Sequence, residues 1–452
     1  MREDDQVPHA DGIEAPSQIP DPPMGWARLA WLGPGFLWMV SAAGSGELLF
    51  TPRVGALYGY SLLWALLAAV VLKWFINREV GRFTAVSGKT ILEGFRDLPG
   101  PRGWALWVIL VPQLVVAVAT VAGLGGSAAT ALILVLPGKT WLWAIASVLS
   151  STALVIWGRY RGIERVATAI AVALGVASVV AAVSVGPAFG EMGAGLVPRV
   201  PADVDHAEIL PWLGFMLSGA AGMIWYSYWV KAKRYGAAGV SSDGVPPTHA
   251  GDEKRLRGWI RQLNLDNTVA VVGTVVVTLA FLVLGAELLR PEGLVPEEDR
   301  IAETLGRLLG DIWGPVGFWF MVLAVYVGFW DTLLSDQDGF GRMFSDGARR
   351  LVPARVRESR WLRELTLRRV LVASLLTAAP VALYLAQGEP VALLKLAGAI
   401  EAAHIPVLAA LTLYVNRRLP EGLRPGRIAW IGTVAAALFF AAFATVYVVQ
   451  LL

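Results

Sequence analysis

The chain has 452 residues, 56% of them apolar or aromatic and only 16% charged, and its mean hydropathy is +0.58. That is more apolar side chain than the interior of a water-soluble fold of this size can hold, which excludes a soluble globular protein and leaves lipid to cover the surplus. The absence of cysteine excludes a disulfide framework, a thiolate metal site and a thiol nucleophile, and the net charge of +3 makes the location of the basic residues the next question.

Taken in chain order, residues 1–25 are acidic and Pro-rich without apolar periodicity, and 1–30 as a whole reads as a disordered cytoplasmic tail. No basic start leads into an apolar run and a small-residue cleavage site, so the tail does not read as a signal peptide. A transmembrane helix takes about 20 mostly apolar residues. Such stretches fall near 32–57, 61–80, 104–136, 140–157, 164–186, 209–233, 263–289, 313–343, 368–386, 391–416 and 428–450, which predicts an all-α integral membrane protein of about eleven spans. With the N-terminus inside, 31 of the 38 Lys and Arg are counted with the tail and inner loops, Lys73 among them, 6 with the outer side, and Lys395 with neither. This asymmetry fixes the orientation, with the N-terminus cytoplasmic and the C-terminus outside, because loops rich in Lys and Arg stay in the cytoplasm. The basic excess is therefore topological, so the expected partner is the lipid bilayer and not nucleic acid. Trp31, Trp74, Trp104, Trp141, Trp157, Trp212, Trp313 and Trp430 near span ends agree with interfacial anchoring.

Two spans carry small residues at their centres. The first contains Ala42-Ala43-Gly44-Ser45-Gly46-Glu47, and the sixth contains Ser218-Gly219-Ala220-Ala221-Gly222. Glycine weakens a helix by about 1 kcal/mol relative to alanine, and backbone freed inside a membrane must face protein, water or a ligand. Small residues also let helices pack closely, which is the plainer reading of either segment alone. Paired interruptions in corresponding halves point instead to a transporter's midplane site. The spacing then divides the chain into a five-helix repeat over 31–190, a second of opposite topology over 207–418, and an additional helix over 427–452.

An ionisable group at the bilayer centre costs at least about 2.5 kcal/mol, so each is a functional candidate. Glu47 leads, at the start of the second half of span 1, where free N–H groups favour an anion while carbonyls from about Ser41 to Gly44 face a cation. The alternative for Glu47 is a structural cap. In span 8, 100° per residue places Asp331, Ser335 and Asp338 on one stripe, an ion or proton path, and turns Asp336 elsewhere. Arg342, four residues beyond Asp338, offers that residue an ion pair. In span 10, Glu401 and His404 are three apart, a spacing that allows either a proton relay or a structural pair. Gln113, Tyr226, Ser227 and Tyr228 are candidates to line the path, or else to form interhelical bonds. No phosphate loop, HExxH or GxSxG occurs, and His9, His206 and His249 fall in the tail or loops, so neither an enzyme nor a resident cofactor is expected.

The first two spans carry Gly33-Pro34-Gly35-Phe36, Val54-Gly55-Ala56 and Gly59-Tyr60-Ser61-Leu62-Leu63-Trp64, and later segments carry Gly219-Ala220, His404-Ile405-Pro406 and Asn416-Arg417-Arg418-Leu419. In these segments the chain resembles the Nramp family of divalent-metal transporters, whose members have the LeuT-type inverted-repeat fold. The fold this resemblance implies is a 5+5 inverted repeat with broken helices 1 and 6. The departures are informative. Where the family's first helix has Asp-Pro-Gly-Asn, with its glycine on Gly46, this chain has Gly44, Ser45 and Glu47, so the metal-binding aspartate is absent. The sixth-helix pattern Met-Pro-His becomes Met223-Ile224-Trp225, which keeps only the thioether.

The resulting expectation is a secondary transporter of a small inorganic cation, most simply a divalent metal ion and one of the hard ones such as Mg or Mn, with a proton as candidate co-ion. Its binding residues would be Glu47, Ala43, Gly44, Ser45, Gly219, Gly222 and Met223. Two alternatives remain: an organic cation or amino acid held against Trp225, Tyr226, Tyr228 and Trp330, or a membrane sensor that does not transport.

Overall fold

In the computed structural model the described residues are 19–41, 43–158, 161–201, 204–240, 250–353 and 359–451. Of residues 40, 41, 43, 161–164, 250, 251 and 451 only the backbone is described. Every regular element among the described residues is a helix. Nine helical stretches among them are long and apolar enough to cross a membrane.

Two expected spans stand apart from those nine. The first is divided into Pro34–Ser41, a wide π-helical stretch Ala43–Phe50 and Thr51–Tyr58, with residue 42 outside the described set. The interruption expected there takes the form of π-helix, which is common at functional sites because it shifts side chains around the axis. The second, Leu63–Ser87, carries Lys73, Arg78, Glu79 and Arg82 within the helix. It runs beyond its expected end near residue 80, where the buried Glu79 is partnered: Arg82 donates to it at 2.8 Å, and Asn416 donates to the same carboxylate at 3.1 Å. It stops at Gly88, whose positive φ of 71° lets its N–H cap the Thr84 carbonyl.

The sixth span breaks as expected. His206–Phe215 and Ala220–Ala232 are separate helices, and between them Leu217 and Ser218 have φ of 54° and 80°. Two non-glycine residues in the left-handed region cost of order 1–3 kcal/mol each and persist only where the surroundings impose them. In the long helix Ile301–Leu351, Gly314 at φ 64° followed by Pro315 separates a first segment from the expected eighth span.

The sixth span is the most enclosed, with 94% of its most apolar stretch buried, whereas the last helix, Arg427–Gln450, is 22% buried over its own. Around that axis the third span (Trp104–Leu132) packs on the eighth and on the tenth (Pro390–Asn416), and the tenth packs on the first half of the sixth. The second span lies against the seventh (Ala250–Leu284) and the last helix. Both interruptions thus sit in the protein interior, away from lipid.

The expected disordered tail divides in two. Residues 1–18 lie outside the described residues. From Ile19 onward the chain is held against the seventh span: Trp259 Nε1 donates to the Pro20 carbonyl at 2.8 Å, and Gln262 Nε2 donates to the Arg28 carbonyl at 2.8 Å. An indole and an amide on one helix face thus order a stretch whose composition reads as tail.

Candidate functional site

The site is built around the backbone freed at residues 216–219. Glu47 Oε1 accepts the Leu217 N–H at 2.9 Å, and among the described residues its buried Oε2 has no partner. Glu47 therefore clamps the interruption of the sixth span from the first. It is not among the residues lining the central cavity. On the other side of the same turn, the fully enclosed Lys73 ammonium donates to the carbonyls of Gly214 (2.7 Å), Met216 (2.6 Å) and Ser218 (2.8 Å). Lys73, expected on the side of the inner loops, lies instead inside the bundle.

Glu401 of the tenth span caps the second half of the sixth. Its Oε2 accepts the N–H groups of Ala220 (2.6 Å) and Ala221 (3.3 Å), the arrangement that an exposed helix N-terminus favours. Gln113 Nε2 donates to Glu401 Oε2 at 3.2 Å and bonds His404 Nδ1 at 3.0 Å. Glu401 and His404 are thus joined through a shared amide, with Gln113 Nε2 bonded to both.

Between the two interruptions lies a cavity lined by Ser45, Ser218, Gly219, Gly222, Thr332, Asp336 and Glu401, with Phe215, Trp225 and Phe340 as its aromatic side. Thr332 also accepts the Gly44 N–H at 3.1 Å, joining the eighth span to the first. Asp336, set aside from the stripe by helical geometry, faces this cavity. The stripe itself is as expected: Asp331, Ser335 and Asp338 line a separate, larger vestibule with Phe36, Leu37 and Tyr228. Asp338 forms the expected pair with Arg342 at 2.8 Å and a second with Arg368.

Trp225 lines both spaces and so stands between them. Its ring packs edge-on to Phe340 at 4.9 Å and lies over Gly339, where any Cβ would collide with it. Its buried indole N–H has no partner among the described residues. The other expected wall residues lie elsewhere: Tyr226 is buried and donates to Asp266 at 3.3 Å, and Trp330 Nε1 donates to Ser150 at 3.0 Å. Met223, expected among the binding residues, is enclosed away from the cavity. Tyr228 reaches the vestibule and donates to Asp346 at 3.0 Å. Of Ala43 only the backbone is described, within the π-helical stretch. Among the described residues no three His, Asp or Glu gather into a group that could hold a metal ion.

Each end of the site is tied by charge. At one end Arg53 holds Glu208 through two bonds, 2.7 and 2.8 Å, and donates to the Pro296 carbonyl at 2.6 Å, while Lys395 reaches Glu208 at 2.5 Å. Lys395, itself half-buried, thus joins the Arg53–Glu208 pair in one charge cluster. At the other end Asp266 accepts the N–H groups of Gly33 (2.8 Å) and Gly35 (2.6 Å), capping the first span.

A sequence model of the family described as "Natural resistance-associated macrophage protein-like" (Nramp) matches residues 35–450. The chain belongs to the Nramp family. It is a multi-pass membrane protein with the LeuT-type fold. It is 31% identical over 182 residues to the divalent metal cation transporter MntH of Deinococcus radiodurans, covering 39% of this chain and 41% of that one. An uncharacterized protein of Pasteurella multocida is 25% identical over 337 residues, 70% of each chain. Among solved structures, a mutant of the Eremococcus coleocola manganese transporter superposes with a TM-score of 0.72 at 16% identity, over 97% of this chain and 90% of that one. MhsT in complex with L-phenylalanine superposes at 0.55 and 14% identity, over 92% and 98%. These two likenesses concern the fold.

Proposed function

We propose that this Nramp-family chain is a secondary transporter that carries a cation, in the first instance a hard divalent metal ion, by alternating access around the cavity between its first and sixth spans. The observation that carries the reading is the pairing of two carboxylates, Asp336 and Glu401, with the hydroxyls of Ser45, Ser218 and Thr332 around one cavity. Oxygen donors without thioether or imidazole suit Mg²⁺ or Mn²⁺, ions that keep part of their hydration shell where a protein offers few ligands. The eleven-span topology, the inward N-terminus and the 5+5 division belong to the same proposal. In that orientation Arg53, Glu208 and Lys395 close the outer end, and the vestibule beyond Trp225 leads to the cytoplasm. A carboxylate vacated by its cation inside a membrane is a proton acceptor, and we extend the proposal to proton coupling through Asp336 and Glu401.

Uptake of Mn²⁺ and Mg²⁺ into proteoliposomes tests the reading. The Asp336→Asn variant should lose at least tenfold in initial rate while remaining monodisperse; undiminished flux through that variant overturns the assignment. An imposed pH gradient should change the wild-type rate, and a rate indifferent to it removes the proton from the scheme.

A second reading rests on the aromatic side of the cavity. Phe215, Trp225 and Phe340 beside two carboxylates also match a small organic ammonium, through cation–π contact. Thermal-shift titrations with divalent metals and with small amines separate the two, since a ligand that binds only the folded protein raises the melting temperature saturably.

A further inference from the structure

The carbonyls at the interruption of the sixth span are occupied by the chain itself. We propose that Gly214, Met216 and Ser218 form a backbone cation-binding site whose resident ion is the tethered ammonium of Lys73, and that removing this side chain opens the site to a free monovalent cation.

The geometry is that of a filled site. An ammonium on its alkyl stem has three N–H donors, and all three are used, at 2.6 to 2.8 Å, on carbonyls from one turn of chain. The side chain is fully enclosed, so it is not an interfacial lysine whose head rests in water. The left-handed φ values of Leu217 and Ser218 belong to this turn, whose alternating groups face in opposite senses: Met216 and Ser218 present carbonyls to Lys73 while Leu217 presents its N–H to Glu47. Phe440 of the last helix lies 5.5 Å from the ammonium, face-on, and closes the remaining side.

The chemistry also sets the class of ion. Three neutral carbonyls beyond 2.5 Å are too few and too distant for Mg²⁺, which takes six ligands at 2.0–2.1 Å, or for Ca²⁺, which takes six to eight at 2.3–2.6 Å. They suit a singly charged ion that donates hydrogen bonds or is loosely coordinated. The inference is independent of the cargo, because it concerns a site beside the transport cavity and is tested by ion binding alone.

Truncation to Lys73→Ala removes Cγ, Cδ, Cε and Nζ and leaves a hole shaped like n-propylammonium, whose ammonium end methylammonium can fill. Melting of the purified full-length protein is followed in methylammonium, K⁺ or Na⁺ chloride, each against tetramethylammonium chloride at equal ionic strength. The wild type and Lys73→Arg should show no cation-specific shift. Lys73→Ala should melt lower and recover saturably with methylammonium, and with K⁺ or Na⁺ in so far as those ions fit. A variant whose melting ignores methylammonium, or a wild type that responds equally, overturns the proposal. Should Lys73→Ala not survive purification in ordinary buffer, it is prepared in methylammonium and in tetramethylammonium in parallel. Monodisperse protein from the first alone supports the tethered-ion site, and equal failure in both overturns it.

Discussion

Arg53 and Glu208 meet face to face inside the protein, their side chains only 6% and 8% exposed. A buried pair is weak evidence for net stability, but removing one partner strands the other, at roughly 3–5 kcal/mol. Arg53→Met should therefore lower the unfolding free energy by about 3 kcal/mol, the low end because Lys395 still pairs with Glu208. Thermal unfolding reads the loss. Because the chain has no cysteine, Ser45→Cys is also a clean reporter: it should resist an impermeant thiol reagent from outside, and should become labelled when Arg53→Met is added. Glu93 gives the pH dependence. It closes a capping box with Thr90 and also pairs with Lys231 and Arg350. Burial works to raise its carboxyl, but Arg350 and Lys231 outweigh it and hold the group below its ordinary value of 4.5. A depressed value in the folded state gives stability that is present above the ordinary value and is lost as pH falls through the depressed one. The advantage of the wild type over Glu93→Gln should thus shrink between about pH 5 and pH 3, as measured by denaturant unfolding, and a constant difference would contradict it. Residues differ in how well the sequence shows their place. Asp331, Ser335 and Asp338 are legible because helical periodicity alone sets them on one face. Lys73 is not, since hydropathy counts its charge as a cost and cannot register carbonyls supplied some 140 residues later.

At the scale of elements, the sixth span is legible as two pieces because Gly219 and Gly222 interrupt its apolar run, yet its turn is held by Glu47, Lys73 and Glu401 from three other helices. The first span shows the limit of composition. Its glycines predict a gap, and π-helix on one side of residue 42 is what the described residues show. Charged residues near helix ends mislead in the same way, as when the second span continues to Ser87 with Glu79, Arg82 and Asn416 satisfying one another. Close packing between the sixth and tenth spans depends on Gly214, where a Cβ would collide with the Gly398 carbonyl. Gly214→Ala should cost about 1–3 kcal/mol through overpacking, read as a lower melting temperature in detergent. An unchanged melting temperature would show that the two helices can slide apart without loss.

For the molecule as a whole, the apolar surplus and the uneven basic residues carry most of the architecture, since both follow from the cost of placing charge in hydrocarbon. The cavity is another matter. Asp336 and Glu401 lie 65 positions apart and meet only because the third span packs on both the eighth and the tenth, a relation without local periodicity. Orientation is open to direct test in the cysteine-free chain. Ser61→Cys should be labelled from outside intact cells and Arg102→Cys only after permeabilisation; the reverse pattern would invert the topology and with it the assignment of outer clamp and inner vestibule. Lys73, finally, bears on what the membrane potential can drive. Each elementary charge that crosses is worth about 2.3 kcal/mol per 100 mV, and a free co-ion at the interruption would add that work to every cycle. An ammonium joined to the second span stays with the scaffold, so the current per turnover should report the cargo and its coupled protons, with no contribution from this site.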